Sequence, residues 1–120
     1  MPAYNFQSRF VALIRDGSKK HTIRRRRKYP TRAGDDLKLF VGQRTKECEL
    51  LAEVKCTSVV PVVIYVEAGR VVLDRRMLSL DDTLRFAIRD GFANQMEFFQ
   101  FFERYPREVL EHELEVIYWR

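Results

Sequence analysis

Asp16-Gly17-Ser18-Lys19-Lys20-His21-Thr22-Ile23-Arg24, with Gly34-Asp35-Asp36-Leu37 ten residues on, is the stretch that decides how this 120-residue chain folds. Gly17 can enter a left-handed turn without steric penalty, so it suits the C-terminal cap of a preceding helix. Phe10, Leu13 and Ile14 fall at helical spacing, with Phe6 one turn earlier, and predict that helix over residues 6–16. Beyond the glycine, Thr22-Ile23-Arg24-Arg25 reads as a strand. A lysine, a threonine and an arginine therefore follow one another along a turn and the short strand it feeds.

Outward from there, Tyr29 to Asp35 is a loop closed by a Gly-Asp turn. Leu37 to Val41 is a strand with Leu37, Leu39 and Val41 on one face. Gly42 to Lys46 reverses the chain. Glu47 to Val60 returns as a long strand with a bulge near Leu50-Leu51, and Val62 to Val66 either continues it or begins another. Glu67-Ala68-Gly69-Arg70 is a hairpin turn into Val71-Val72-Leu73. Ser79 is the N-cap of a helix running to about Arg89, with Asp81 and Asp82 in its first turn. Asp90-Gly91-Phe92 breaks that helix. Asn94 caps a second helix whose buried stripe is Met96, Phe99, Phe101 and Phe102, ending near Tyr105-Pro106. Glu113 to Trp119 alternates as a closing strand. This order implies an α+β fold, with a curved or barrel-like sheet and helices at its ends, as one domain over residues 1–120. The phenylalanines at 98–102 read as core and not as a base-stacking platform.

The bulk numbers exclude several classes. The longest apolar run, Val59 to Val66, holds eight residues and is interrupted by Pro61, against the ~18 needed to span a membrane. The N-terminus lacks the basic-then-apolar layout of a signal peptide, and two cysteines, Cys48 and Cys56, suit a reducing compartment. A cytoplasmic protein with no membrane partner is the expectation. The net charge of +5 is unevenly spread: residues 15–46 hold twelve Lys/Arg against three Asp/Glu, a local balance of +9, and the remainder carries −4. Such asymmetry steers anions toward one region. A solvated loop kept soluble by charge is the alternative reading.

Lys19 and Thr22 face one cleft only if the Gly17-Ser18 turn bends the chain. A threonine hydroxyl is a weak nucleophile until a base takes its proton, and a lysine serves as that base only with a lowered pKa. Lys20, Arg24 and Arg25 are the neighbouring cations that could lower it; a surface lysine beside a strand threonine is the plain alternative. Asp90 is either a proton donor in the loop between helices or an ordinary turn aspartate, with Glu49, Glu53 and Asp82 as other acids. His21 alternates with Thr22, so it faces the other way, toward phosphate or solvent. Cys48, Cys56, His21 and His112 lack metal-ligand spacing, and the isolated glycines form no phosphate-binding loop. Neither a metal nor a cofactor is expected.

Gly17-x-Lys19-x-x-Thr22-Ile23-Arg24 followed by Gly34-Asp35-x-Leu37 resembles the signature of the ASCH domain, a small β-barrel of the PUA-like superfamily associated with RNA. Asp90-Gly91-Phe92, the helix ending at Tyr105-Pro106 and the strand Glu113 to Trp119 match its second half, so the resemblance spans roughly Phe6 to Trp119. It implies a PUA-like barrel with flanking helices. Some ASCH proteins are amidohydrolases that deacetylate N4-acetylcytidine with a lysine base, a threonine nucleophile and an acidic proton donor. By position, the resemblance gives these roles to Lys19, Thr22 and Asp90, with aspartate standing where those enzymes carry glutamate. The run Arg24-Arg25-Arg26-Arg27-Lys28 and the segment Gly42 to Cys48 look more like a subgroup of unassigned activity, some of it phage-associated.

Two functions follow as expectations. The first is an RNA- or nucleotide-binding module in which Lys19, Lys20, Arg24, Arg25, Arg26, Arg27 and Lys28 meet phosphates, and Thr22 with Asp90 reads a base edge. The second is an amidohydrolase on an acylated nucleoside using Lys19, Thr22 and Asp90, with a ribonuclease as a lesser branch. A partner-binding role through Val59 to Val66 is a third, weaker reading.

Overall fold

The chain turns where Gly17 was expected to turn it. In the computed structural model, which describes residues 1–120, helix α1 (Val11–Arg15) ends at Asp16, and Gly17 follows with φ +83°. Strand β2 (His21–Arg25) comes next, then β3 (Asp36–Val41) and a 17-residue strand β4 (Glu49–Tyr65). Strands β5 (Arg70–Leu73) and β6 (Arg76–Met77) complete a small meander. Helices α2 (Leu80–Asp90), α3 (Gln95–Phe102) and α4 (Arg107–His112) lead to the closing strand β7 (Leu114–Trp119). The caps on α2 and α3 are those the sequence implies: Ser79 accepts from the Asp82 N–H and Asn94 from the Glu97 N–H. No helix is long and apolar enough to cross a membrane.

The start of the chain differs from the expectation of a helix over 6–16. A strand, β1 (Ala3–Phe6), precedes a short 3-10 turn at Ser8–Phe10, and only then does α1 begin. Tyr4 and Phe6 alternate into the core while Ala3 to Phe6 pairs in parallel with Lys38 to Val41 of β3. That tertiary pairing outweighs the helical spacing of Phe6 and Phe10. The expected bulge lies where Leu39 faces Ala52 and Phe40 faces Leu50, which leaves Leu51 unpaired. Val62 to Tyr65 continues β4 and does not start a new strand. Met96 is exposed, and Phe98, Phe99 and Phe102 make the buried stripe of α3. Helix α4 was not anticipated: Pro106, read as a stop, precedes a helix start, where a missing N–H costs nothing.

The fold is α+β, with a mixed seven-stranded sheet. β4 bridges its two halves, pairing with β3, β7 and β5 along successive segments, and β7 also carries β2. The sheet is open. β1 pairs only with β3 and β2 only with β7, so no strand ladder joins β1 to β2. Side chains cross that seam instead: Arg24 donates to the Asn5 carbonyl (2.7 Å) and Arg27 to the Ala3 carbonyl (2.6 Å). Edge carbonyls that would otherwise need water or another strand are satisfied by guanidinium groups.

One core of 23 buried apolar residues joins sheet and helices. Phe98 lies at its aromatic centre, with the rings of Phe86, Phe92, Phe99 and Phe102 at centroid distances of 4.9–5.9 Å. Gly91 ends α2 in the left-handed region (φ +108°), and a Cβ there would lie 2.7 Å from Phe10. Gly91→Ala therefore combines backbone strain with overpacking and should destabilise the fold by about 2 kcal/mol or more. Chemical denaturation of the two proteins measures this, and an unchanged midpoint would contradict the packing described.

Candidate ligand cleft

Local turn chemistry carries Lys19 inward. The Asp16 carboxylate accepts the Ser18 N–H (2.8 Å), and the Lys19 N–H returns to the Leu13 carbonyl (3.0 Å). The chain thereby doubles back under α1, and the Lys19 ammonium lies 4.9 Å from the centre of the Phe10 ring. From the other side, α2 delivers Asp90 as its last residue, with Gly91 turning the chain away. Lys19 Nζ donates to Asp90 Oδ1 (2.8 Å) and to the Asp90 carbonyl (2.5 Å). The second bond fills a helix-end carbonyl that has no donor within its helix, where the macrodipole also favours a cation. Asp90 is thus not an ordinary turn aspartate; its side chain is 5% exposed and that of Lys19 is 3% exposed.

Burial pulls the Lys19 amine below its ordinary range; the Asp90 carboxylate pulls it back up, and Arg24 adds a smaller downward push. From the sequence, neighbouring cations are one plausible cause of such lowering. Desolvation dominates, and of Lys20, Arg24 and Arg25 only Arg24 contributes. Thr22 lies on the same cleft, its Oγ accepting from Arg24 Nε (3.0 Å), which leaves its O–H free to donate. Arg24 itself stacks on Phe6 (4.8 Å), and burial lowers its guanidinium pKa from the usual value.

These groups line a cleft of about 220 Å³ beside the β1–β2 seam. Its wall includes Asn5, Gln7, Phe101, Arg104 and Tyr105, none of which the sequence assigned to a site; Phe101, read there as core, is only partly buried. The alternation Tyr4-Asn5-Phe6-Gln7 would have turned Asn5 and Gln7 away from the core, but the helical spacing of Phe6 and Phe10 hid that signal. Nothing local marks Arg104 or Tyr105. A larger cavity, about 440 Å³, lies between the end of β4 and α4, walled by Ile64, Val66 and Leu110. It holds none of the Lys19, Thr22 and Asp90 set, so chemistry and not size selects the smaller cleft.

His21 corrects the sequence reading. It does face away from Thr22, but toward α2: its ring stacks on Phe86 (5.1 Å, 6°) and is 4% exposed, in contact with neither solvent nor any surface anion site. The basic run also divides. Arg24 enters the cleft and Arg27 lies over the Tyr4 ring (4.0 Å). Arg25 pairs with Glu113 (3.0 Å) and Arg26 approaches Glu115 (3.8 Å), while Lys20 and Lys28 are exposed. No three His, Cys, Asp or Glu side chains converge as a metal site requires.

Comparison of the chain with protein-family models, curated proteins and solved structures returned no match. Fold and site together define an open-sheet α+β domain with a buried ion pair at the floor of a polar cleft.

Removing Asp90 strands a buried ammonium, so Asp90→Ala should cost about 3–5 kcal/mol. The double variant Lys19→Met/Asp90→Leu should regain most of that, as read by denaturation of all three proteins; additive losses would show that the pair is not coupled. Glu115 offers a pH test. Burial raises its carboxyl pKa and Arg26 only partly offsets this. A folded pKa above the unfolded one stabilises below about pH 4.5 and is lost as pH rises through the folded value. Glu115→Gln should therefore be more stable than wild type at pH 7, with a flatter profile between pH 4 and 7.

Proposed function

We propose that the cleft binds RNA or a nucleotide, taking in one base while cations outside it hold the phosphates. The observation that carries this reading is the Lys19–Asp90 pair: it is buried, yet with Thr22 it forms the floor of a cleft. Buried ion pairs contribute little net stability, and perturbed groups gathered in a cleft mark functional sites. Ammonium and carboxylate side by side match a base edge that offers a carbonyl beside an amine, the pattern in which a carboxylate accepts from the cytosine amino group. The volume supports one base. At about 220 Å³ the cleft is smaller than the ~300–1,000 Å³ of pockets for drug-sized ligands. Exposed Lys20 and Lys28, with the half-exposed Arg25 and Arg26, supply the phosphate-facing charge. The resemblance to the ASCH domain agrees with this assignment. Arginine side chains across the β1–β2 seam support reading the open sheet as a PUA-like barrel with one wall closed by side chains.

A second reading, amidohydrolysis of an acylated nucleoside, is favoured by the convergence of Lys19, Thr22 and Asp90 on one cleft and by the lowered Lys19 pKa. The pair would enter the step as neutral amine and protonated carboxyl. Thr22 Oγ adds to the acyl carbon and its proton passes to Lys19. Asp90 protonates the leaving nitrogen as the C–N bond breaks, and water then hydrolyses the threonine ester.

One preparation tests both readings. Single-stranded RNA affinity should fall with salt, log K against log [salt] sloping by about −0.7 per phosphate contacted; salt-independent binding would remove the first reading. Incubation with N4-acetylcytidine followed by chromatography decides the second: turnover that disappears in Lys19→Ala establishes it, and full activity in Thr22→Ala rules out the nucleophile.

A further inference from the structure

The Asp90 carboxylate has two basic neighbours and is hydrogen-bonded to only one. Lys19 Nζ is 2.8 Å from Oδ1, and His21 Nε2 is 3.2 Å from the same oxygen. The histidine contact lacks hydrogen-bond geometry, and Nε2 has no other partner although it is fully buried. A buried polar atom without a partner is uncommon and calls for a reason. Packing holds the ring there: Phe86 of α2 stacks on one side, and Tyr118 of β7 lies 5.4 Å away. The ionisable groups that bear on this point are Lys19, Asp90, Arg24, which acts on both, and Tyr118, whose phenol burial raises and so keeps neutral; Arg89 and Asp74 act in turn on Tyr118.

With hydrogen on Nε2, the imidazole can donate to this carboxylate once the two groups are aligned. With His21 neutral, the Lys19, Asp90 and His21 set sums to zero charge; with His21 protonated it is +1, directly beneath the cleft. In the free protein that extra charge lies near a buried ammonium, with a single carboxylate to serve both. A phosphate held at the mouth of the cleft offsets it, and a small rotation of the Asp90 carboxylate gives the imidazolium a charge-assisted hydrogen bond. We propose that His21 is a proton-linked positioning residue: uptake of an anionic ligand is coupled to protonation of His21, which then shares Asp90 with Lys19. This rests on the nucleic-acid reading for its ligand but not for its internal coupling.

By linkage, a ligand that draws in a proton binds more tightly as pH falls, and its affinity should rise about tenfold between pH 7.5 and 5.5. The probe is a short oligocytidylate lacking terminal phosphates, which has no group titrating near pH 6.5. Calorimetry in two buffers of different ionisation enthalpy should detect proton uptake on binding by wild type at pH 6.5. His21→Phe keeps the stack on Phe86 and His21→Gln keeps an N–H donor; both should bind without proton uptake. His112→Gln, at the exposed end of α4, should retain the uptake. Binding without proton uptake in wild type, or uptake that persists in His21→Phe, overturns the proposal. A second measurement needs no ligand and no variant. In wild type, the Asp90 carboxyl ¹³C signal should move together with the His21 imidazole signals, through one shared transition, as pH is varied. Independent midpoints overturn the coupling, whereas failure of the oligonucleotide to bind at any pH, with shared midpoints, overturns only the nucleic-acid reading.

Discussion

The Lys19–Asp90 pair fastens the two halves of this protein at one point. Its partners lie 71 residues apart in sequence: one leaves the turn after α1, and the other ends α2. A buried ammonium is tolerable only where its charge and its donors are met, and here one aspartate meets both, through its side chain and its main-chain carbonyl. Gly91 is what allows this. It turns the chain sharply enough for the Asp90 carbonyl to remain a free helix end while Phe92 drops into the aromatic core. Cleft floor, helix cap and core entry are consequently one constraint, and a change to any of them is transmitted to the others.

The open seam imposes a second constraint, and the basic run answers it. Five consecutive cations look from sequence like a surface for phosphates. In the fold, Arg24 and Arg27 are committed to the carbonyls of β1, and Arg25 and Arg26 lean on acids of β7 or its approach. Guanidinium groups suit this work because their fork can satisfy a carbonyl while the planar face lies on Tyr4 or Phe6. Surface ion pairs of this kind are weak, so Arg25 and Arg26 remain exchangeable, whereas Arg24 is fixed. The cations left at the surface and those that close the sheet are neighbours in one short run, residues 24–28.

Much of the fold was legible where local chemistry decides it. Gly17 ends a helix and Ser79 and Asn94 begin the next two for reasons that lie within a few residues, and the bulge at Leu51 follows from the alternation on either side of it. The failures share a physical origin. β1 exists because β3 accepts it in parallel, a partner more than thirty positions away, and the spacing of Phe6 and Phe10 fitted a helix equally well. His21 could be placed on the face opposite Thr22, but what covers that face is Phe86, and strand alternation says nothing about covering elements. The three candidate site residues could be named from the motif and the helix break; their meeting could not, because it depends on how α2 docks.

The same docking explains why the lysine is perturbed by burial more than by its basic neighbours. Sequence proximity to Lys20 and Arg25 suggests a cluster of like charges, yet strands and turns send successive side chains in different directions, and those two remain at the surface. What reaches Lys19 is the dehydrated interior between α1, β2 and the end of α2. Desolvation acts at full strength there, while repulsion between exposed cations is screened by water and salt. A lysine tuned by burial also depends on its single counter-ion. Its protonation is therefore governed by whatever else competes for Asp90, and His21 is the group already within reach.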